Sequence, residues 1–251
     1  MDILQYAKNI YQKPRVTGPF VSAVIVAAGQ STRMGMDSGK SKQFLPLCGL
    51  AAIARTLSAF ESSCNTREVI LVTNKFDTGR MFSVITEFGF TKVARVVVGG
   101  ETRQKSAALG LNAVSKDAEY IAVHDGARPL VTADCIDRVI ESAYKNGAAS
   151  AAVRVKDTLK VADENGVVLS TPDRQRLFAV QTPQVFSIKL YREALEAAIQ
   201  FGTDYTDDCQ LIEAVGGRVQ LVEGEYTNIK ITTADDVSQA EVILRARGDA
   251  F

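Results

Sequence analysis

The chain has little of what a zinc site or a nucleic-acid-binding surface requires. Its 251 residues include four widely spaced cysteines and a single histidine, His124, so neither a CxxC pair nor a histidine cluster suggests zinc. We expect reduced cysteines that pack as small hydrophobic residues. Basic and acidic residues both number 29, which leaves no net charge and no broad basic field for nucleic acid or an anionic membrane. A polyanionic ligand must therefore be held by a few local cations.

Long apolar stretches are also absent from the sequence. No run approaches the roughly 20 residues that span a bilayer, and residues 1–20 lack the continuous apolar core of a secretory signal. These observations predict a cytoplasmic protein without membrane contact. Because repeats, low-complexity tracts and interdomain linkers are not found, the simplest division is an N-terminal extension over residues 1–20 and a single domain over residues 21–251.

Strand and helix patterns alternate through the first two thirds of the chain. The predicted strands cover residues 22–28, 68–73, 92–98, 120–124 and 148–155, and the predicted helices cover residues 51–62, 102–114 and 132–146. Such alternation is typical of an α/β fold with a mostly parallel sheet and helices on both faces, a three-layer sandwich. Ligands of these sheets bind beyond the carboxyl ends of the strands.

The alternation stops at TLKVADENGVVLST, where Asn165-Gly166 separates two strand-forming runs. Asn-Gly between such runs is a strong hairpin signal. Because a hairpin does not fit readily into the core of a parallel sheet, we expect a projecting β-hairpin arm over about residues 156–176 that packs on a second subunit. The alternative is a hairpin folded against its own domain.

Two helices are predicted after the arm, each with a hydroxyl residue at its start and glycine at its end. The first begins at Ser187 and ends at Gly202, and the second begins at Thr206 and ends at Gly216. A strand over residues 218–222 and a helix over residues 233–247 complete the predicted order.

The stretch VIVAAGQSTRMGMDSGKSKQFLPL looks at first like an ATPase phosphate loop. Gly39-Lys40-Ser41 matches the end of GxxxxGK[ST], but Met34 stands where the first glycine is needed. Ten residues separate Ala28 from Gly39, whereas a P-loop follows its strand directly, and Pro46 would cut short the helix that a P-loop lysine opens. The nicotinamide pattern GxGxxG is absent as well. These spacings argue against an ATPase, a kinase and a dehydrogenase.

What remains is a glycine-containing turn followed by two cations. Arg33 offers a planar fork and Lys42 a compact charge, and together they suit the oxygens of a triphosphate. Lys40 is a rival for the second role, although we favour a solvated side chain there. The insertion from Gly35 to Gly39 predicts a mobile lid that orders on the nucleotide.

Seven segments occur in an order that resembles one known family. They are AVIVAAGQSTRMG with KSKQFLPL, VVVGGETRQKSAALGL, VHDGARPLV, VKDTLK, AVQTPQVF, YTDDCQLIEAVG and LVEGEYTNIKITTADD. The chain resembles the 2-C-methyl-D-erythritol 4-phosphate cytidylyltransferases from about Val21 to its C-terminus. The AAG…R…K segment is shared by many nucleotidyltransferases, whereas HDGARP, QTPQ and EGxxxNIKIT together are specific.

The resemblance implies a fold, a reaction and an assembly. The implied fold is the Rossmann-like sandwich of the nucleotide-diphospho-sugar transferases, and the implied assembly is a homodimer that forms through the arm. The substrates are CTP and a polyol phosphate, methylerythritol phosphate, and the products are 4-diphosphocytidyl-2-C-methyl-D-erythritol and pyrophosphate, in the non-mevalonate route to isoprenoids. Mg²⁺ or another divalent cation is held mainly through the CTP phosphates, so no protein metal ligand is named.

The resemblance also implies a site. Arg33 and Lys42 match the transition-state stabilisers, Lys230 matches the lysine that orients the attacking phosphate, and Arg174 matches an arginine that reaches the acceptor phosphate of a neighbouring subunit. The residues that match substrate contacts are Ala27, Ala28 and Gly29 along the nucleotide, Gly100, Glu101 and Ser106 at base and ribose, and Asp125, Arg128, Thr158, Thr182 and Thr206 at further polar contacts.

Some positions leave alternatives open. Glu101 stands where the family often has aspartate, Arg103 matches a position that serves either structure or function, and Arg176 is a chemical rival of Arg174. We expect His124 to be a packed imidazole, because a phosphate oxygen needs little deprotonation near neutral pH. A ribitol 5-phosphate cytidylyltransferase on the same scaffold is the nearest functional alternative, and a non-catalytic nucleotide-binding regulator is a more remote one.

Overall fold

The computed structural model describes residues 18–29 and 41–249. The expectations for most of the N-terminal extension, for Arg33, for Lys40 and for the glycines from Gly35 to Gly39 concern residues outside these two ranges. The elements follow in chain order: β1 (Val21–Ala27), β2 (Pro46–Leu47), β3 (Leu50–Ala51), α1 (Ala52–Ser62), β4 (Thr66–Thr73), α2 (Thr78–Phe88), β5 (Val93–Val98), α3 (Arg103–Ala113), β6 (Tyr120–Asp125), α4 (Ala133–Asn146), β7 (Ala148–Arg154), β8 (Val161–Ala162), β9 (Val168–Ser170), β10 (Phe178–Ser187), α5 (Ile188–Gln200), α6 (Asp208–Ala214), β11 (Gln220–Glu223) and α7 (Ala234–Arg247).

The main sheet has seven strands in the order β11-β7-β10-β6-β1-β4-β5. Six strands run parallel, and β10 runs antiparallel between β6 and β7. The predicted mostly parallel α/β fold is confirmed. The sequence analysis did not predict β10 or α2, and most of its other boundaries differ from the structure by one or two residues.

The predicted start of the second helix after the arm was wrong. Helix α6 begins at Asp208, and the side chain of Asp207 accepts a hydrogen bond from Gln210 N. A carboxylate caps a helix N-terminus at least as well as a hydroxyl does, so Asp207 replaces the predicted cap, Thr206. At the other predicted start, Ser187 precedes α5 as expected but makes no capping bond with its side chain.

Alternating side chains of β1 pack on the two faces of the sheet. Val21, Ala23 and Ile25 belong to a buried cluster with α1 and α4, whereas Val24 belongs to the cluster beneath α3 and α5. Helix α3 lies so close to the strand that a Cβ atom at Gly110 would stand 2.3 Å from Val24 Cγ1. This close approach fixes the beginning of α3 over the carboxyl edge of the sheet.

A third, smaller cluster joins the C-terminal helix α7 to the β2–β3 hairpin. Leu47, Leu130, Ile231 and Leu244 are buried together there. The cluster anchors the chain just after Asn228, which is where the sequence NIKIT lies. Among the described residues, no helix is both long and apolar enough to cross a membrane.

The hairpin predicted at Asn165-Gly166 is present. β8 pairs with β9 in a two-stranded sheet of its own, and Gly166 takes the positive φ of 81° that such a turn needs. Large apolar side chains of the arm are exposed, among them Leu159, Val167 and Leu169. The arm therefore does not bury these side chains against its own domain.

All four cysteines are free thiols, as expected, but Cys64 is exposed and does not pack in the core as predicted. Three of them are buried, and burial raises the pKa of the Cys135 and Cys209 thiols to about 12. These two groups stay protonated near neutral pH and act as small packed side chains.

Candidate active site

The carboxyl ends of neighbouring parallel strands bring most of the predicted residues to one edge of the sheet. Ala28 and Gly29 follow β1, Gly99 to Glu101 follow β5, and Asp125 ends β6. Thr182 enters from the antiparallel strand β10. This edge is the expected ligand position for an open α/β sheet.

Three cations surround the carboxylate of Asp125. Arg103 donates from Nε to Oδ1 over 3.0 Å, and Lys230 donates from Nζ to Oδ2 over 2.7 Å. Arg128 Nε lies 4.0 Å from Oδ2. Burial by itself would raise the pKa of the Asp125 carboxyl, but the three cations outweigh it and hold the pKa well below its usual range. The cluster keeps an excess of positive charge, which suits a phosphate.

Backbone and side-chain bonds fix Arg128 and Thr182 beside this cluster. Arg128 Nη1 donates to Asn228 O over 2.8 Å, and Asn228 Nδ2 donates to Thr182 O over 2.9 Å. The Asp125 N–H donates to Thr182 Oγ1 over 3.1 Å. Burial lowers the pKa of Arg128, an effect that the Asp125 charge opposes. The buried Asn228 thus ties the HDGARP and QTPQ segments together.

The two predicted site lysines of the described chain, Lys42 and Lys230, lie close together. Lys42 begins a short 3₁₀ turn, and its Nζ donates over 3.1 Å to the carbonyl oxygen of Ile231, the residue after Lys230. The turn covers only three residues, and Pro46 then begins β2. The local structure therefore differs from a P-loop, in which the lysine opens a long helix.

A glycine turn forms the other side of the edge. The N–H of Gly100 donates to Ser106 Oγ over 3.1 Å, and the same hydroxyl lies 3.3 Å from Gly100 O. A Cβ atom at Gly99 would stand 2.5 Å from Ala28 Cβ, so only glycine lets this turn approach β1. Among the described residues, nothing lies within 4 Å of a Cβ atom built at Gly29. The turn at Gly99 and Gly100 thus packs directly against the end of β1.

Glu101 differs from its neighbours in the glycine turn because its carboxylate is on the surface. It accepts a hydrogen bond from Lys105 Nζ over 2.8 Å, and its side chain is 87% exposed. The hydrogen bond and charge of Lys105 lower the pKa of Glu101. A role for Glu101 at the ribose stays a prediction.

Other predicted residues lie apart from Asp125 in the described chain. Thr158 and Arg174 are exposed on the arm, where Arg174 Nη1 donates to Lys156 O over 3.2 Å. Its rival Arg176 lies on the same 3₁₀ turn and is also exposed. Thr206 is exposed before α6 and bonds to Gln210 Oε1. Their proposed contacts with substrate stay predictions.

A buried acid behind the site, Asp208, was not predicted from the sequence. Arg103 Nη1 donates to Asp208 Oδ2 over 2.6 Å, and Asp208 Oδ1 accepts from the Tyr191 hydroxyl over 2.6 Å. The neighbouring carboxylates of Asp125 and Asp208 raise the pKa of Arg103 despite its burial, which acts in the opposite direction. The adjacent acids Asp207 and Asp208 in TDDCQ were the available signal. If Asp207 had been taken as the cap of the helix, Asp208 would have been predicted to point inward.

His124 is packed, as expected. Its Nε2 lies 3.3 Å from Arg128 O, its Nδ1 lies 3.0 Å from Thr182 Oγ1, and Phe60 packs edge-on at 5.1 Å. A carbonyl oxygen only accepts, so Nε2 carries the proton and Nδ1 accepts from the Thr182 hydroxyl. The ring is neutral in this arrangement, and burial lowers the pKa of His124 to about 3.

This imidazole makes the stability of the fold depend on pH. The unfolded chain binds a proton at His124 near pH 6.5, whereas the folded chain does not until about pH 3. Stability is therefore full above pH 6.5 and falls below it by about 1.4 kcal/mol per pH unit from this group. Between pH 7 and pH 5, denaturant titration should show wild type losing about 2 kcal/mol more than His124→Gln. Because His124 is the only histidine, NMR of its ring at pH 5 provides a direct check, and an imidazole titrating near pH 6.5 in the folded chain would contradict the prediction.

Comparison with known proteins identifies the family. The family model for 2-C-methyl-D-erythritol 4-phosphate cytidylyltransferase matches residues 21–246. The chain belongs to this family. As a member of the 2-C-methyl-D-erythritol 4-phosphate cytidylyltransferase family, the chain is a nucleotidyltransferase. This activity agrees with the position of Lys42, Lys230 and the glycine turn at the edge of the sheet.

Individual relatives of this cytidylyltransferase agree along almost their whole length. The protein of that name from Caldanaerobacter subterraneus subsp. tengcongensis is 46% identical over 226 residues, covering 90% of this chain and 99% of the relative. The one from Geobacillus kaustophilus is 44% identical, with 90% and 97% covered. The crystal structure of 4-diphosphocytidyl-2C-methyl-D-erythritol synthase from Anaerococcus prevotii has a TM-score of 0.80, 33% identity and 91% and 100% coverage. The Thermus thermophilus cytidylyltransferase structure has a TM-score of 0.72 at 35% identity, with 90% and 99% covered.

Proposed function

We propose that the described edge of the sheet carries out the reaction for which the family is named. The enzyme transfers a cytidylyl group from CTP to 2-C-methyl-D-erythritol 4-phosphate and releases pyrophosphate, in isoprenoid precursor biosynthesis. The observation that supports this location is the contact of Lys230 and Arg128 with the buried Asp125, together with the bond from Lys42 to the carbonyl oxygen of Ile231, the residue after Lys230. Two anionic substrates need such a cationic edge when the chain as a whole carries no net charge.

CTP would lie between the glycine turn and the beginning of the Lys42 turn. Neither Gly29 nor Gly100 carries a side chain, so the backbone of both segments can approach a nucleotide closely. Lys42 and Arg33 would neutralise charge at the α-phosphate and on the departing pyrophosphate. Arg33 lies outside the described residues, so its part in this proposal rests on the family resemblance. The predicted contacts of Ala27, Ala28, Glu101 and Ser106 belong to this half of the site.

The acceptor would lie against the Asp125 cluster. Its phosphate is attracted by Lys230 and Arg128, and its hydroxyls can donate to the ionised Asp125 carboxylate. One phosphate oxygen of the acceptor attacks the α-phosphorus of CTP and forms the new P–O bond. The bond from that phosphorus to the bridging oxygen breaks, and pyrophosphate leaves with its electron pair. No protein nucleophile takes part, so the enzyme acts by positioning and charge stabilisation.

A divalent cation, Mg²⁺ in our proposal, would arrive with CTP. No group of three or more acidic, cysteine or histidine residues in the described ranges could hold a metal ion. Both oxygens of Asp125 already accept hydrogen bonds from cationic side chains. In this proposal the ion is carried mainly on the CTP phosphates, where it would neutralise part of the triphosphate charge.

We also propose a cytoplasmic homodimer that forms through the arm. The exposed apolar side chains of the arm, including Val161, Val167, Val168 and Leu169, suit burial against a second subunit. This packing would bring Arg174 and Thr158 to the acceptor of the neighbouring subunit, which they do not reach in their own chain. The free thiols fit the reducing cytoplasm.

A pyrophosphate-release assay tests the proposed reaction. With CTP and Mg²⁺ present, methylerythritol phosphate should support turnover and ribitol 5-phosphate should support little. Faster turnover with ribitol 5-phosphate would favour the alternative cytidylyltransferase. Binding of CTP without pyrophosphate release from either acceptor would favour a regulator that retains the fold.

A further inference from the structure

A chain of alternating charges leads from the acceptor side of the site into the core. Lys230 donates to Asp125, Arg103 bridges Asp125 and Asp208, and the Tyr191 hydroxyl donates to Asp208. The distances along this chain are 2.7, 3.0, 2.6 and 2.6 Å. The carboxylates of Asp125 and Asp208 therefore each lie between two donors. Each carboxylate thus affects the orientation of the side chains that donate to it.

The inner end of this chain is rigid. Tyr191 is fully buried and stacks on Phe186, with ring centroids 5.3 Å apart. Asp208 is also buried, and its backbone N–H donates to Gln184 Oε1 over 3.0 Å. Burial raises the pKa of Tyr191, and the Asp208 charge raises it further, so the hydroxyl keeps its proton and stays a donor. The Asp208 carboxylate thus has one orientation set by the core.

The fork of Arg103 transmits this orientation to the site. A guanidinium is planar, so when Nη1 is held by Asp208 the direction of the Nε–H bond is set as well. That bond points at Asp125 Oδ1 and leaves Oδ2 to Lys230. Without Asp208, the partly exposed Arg103 would be held by Asp125 alone and could turn toward the phosphate of a substrate.

We propose that Asp208 and Tyr191 are positioning residues for the acceptor half of the site. They act through Arg103 on Asp125 and Lys230, and this rests on the proposed function, which gives those two residues to the acceptor. The CTP half depends on other bonds, from Gly100 to Ser106 and from Lys42 to Ile231. Loss of the Tyr191 or Asp208 contact therefore weakens acceptor binding selectively.

Steady-state kinetics with both substrates tests this selectivity. Tyr191→Phe keeps the ring and all charges but removes the donor to Asp208. It should raise KM for methylerythritol phosphate about tenfold, the scale of one hydrogen bond to a charged group, and leave KM for CTP within about twofold. Asp208→Asn should act in the same direction and more strongly, because it also removes the charge that holds Arg103.

A matched control is Tyr144→Phe. It removes a tyrosine hydroxyl that donates to Pro19 O at the opposite edge of the sheet, where Tyr144 packs on Tyr120 at the start of β6, and both KM values should stay unchanged. Equal rises in the two KM values of Tyr191→Phe, or an unchanged acceptor KM, would overturn the inference. If Asp208→Asn does not fold, Tyr191→Phe decides the question alone. A wild-type enzyme without turnover would overturn the proposed function as well, whereas an active wild type separates the two.

Discussion

Arg33→Ala and Lys42→Ala should each lower turnover by about 10²-fold or more. This is the usual effect of removing one group that stabilises charge in a transition state. Lys42 Nζ lies 3.1 Å from the carbonyl oxygen of Ile231, so the lysine is bound to the segment that carries Lys230. Arg33 lies outside the described residues, and its role rests on the family resemblance. The measurement is kcat for pyrophosphate release at saturating CTP and acceptor.

Lys40→Ala is the matched control for this pair. The lysine is two residues from Lys42 and carries the same charge, yet its effect should be mild. A loss of turnover equal to that of Lys42→Ala would show that the wrong lysine was assigned. Near-normal turnover in both Arg33→Ala and Lys42→Ala would refute the assignment of the loop. Melting temperatures should be compared, because the bond to Ile231 also ties two segments together.

Arg174→Ala should impair use of the acceptor while it spares binding of CTP. In the described chain this side chain is exposed on the arm and donates to Lys156 O, so it does not contribute to packing of the core. If it reaches the acceptor phosphate of a second subunit, its loss removes one charge-assisted contact from that phosphate. We expect acceptor kcat/KM to fall by about 10²-fold with CTP affinity unchanged.

Mixed dimers distinguish a shared site from a site within one chain. An Arg33→Ala protein and an Arg174→Ala protein are each nearly inactive, but a mixed dimer contains one site with both arginines intact. Free exchange should therefore restore about a quarter of the wild-type activity, since half of the dimers are mixed and half of their sites are complete. No recovery, after subunit exchange has been demonstrated, would count against the shared site. Arg176→Ala serves as the neighbouring control.

The sequence predicted those parts of the fold that have strong local signals. The alternation of apolar runs located β1 and β6, and Asn165-Gly166 located the arm, because both signals act over a few residues. Strand β10 was missed because its sequence contains Pro183 and its pairing with β6 and β7 is set by distant residues. Helix α2 was missed because its sequence, TGRMFSVITEF, contains a glycine and several β-branched residues, which have low helix propensity.

Residues of the candidate site could be predicted where they lie in a recognisable sequence segment. They were harder to predict where only the packing of distant segments brings them together. The HDGARP and NIKIT segments identified Asp125, Arg128 and Lys230, and the structure brings them together. Nothing local distinguished Asp208 from Asp207, since only the true start of α6 decides which acid turns inward. The link from Tyr191 through Arg103 joins three helices and a strand, and a contact between distant segments has no local signal.

A crystal structure with methylerythritol phosphate and a nonhydrolysable CTP analogue with Mg²⁺ tests the central claim most directly. The account predicts the nucleotide between Gly29 and Gly100, its triphosphate within reach of Lys42, and the acceptor phosphate near Lys230 and Arg128. The acceptor oxygen should lie in line with the α-phosphorus and its bridging oxygen. An acceptor bound away from the Asp125 cluster, or a triphosphate that does not approach Lys42, would contradict the account.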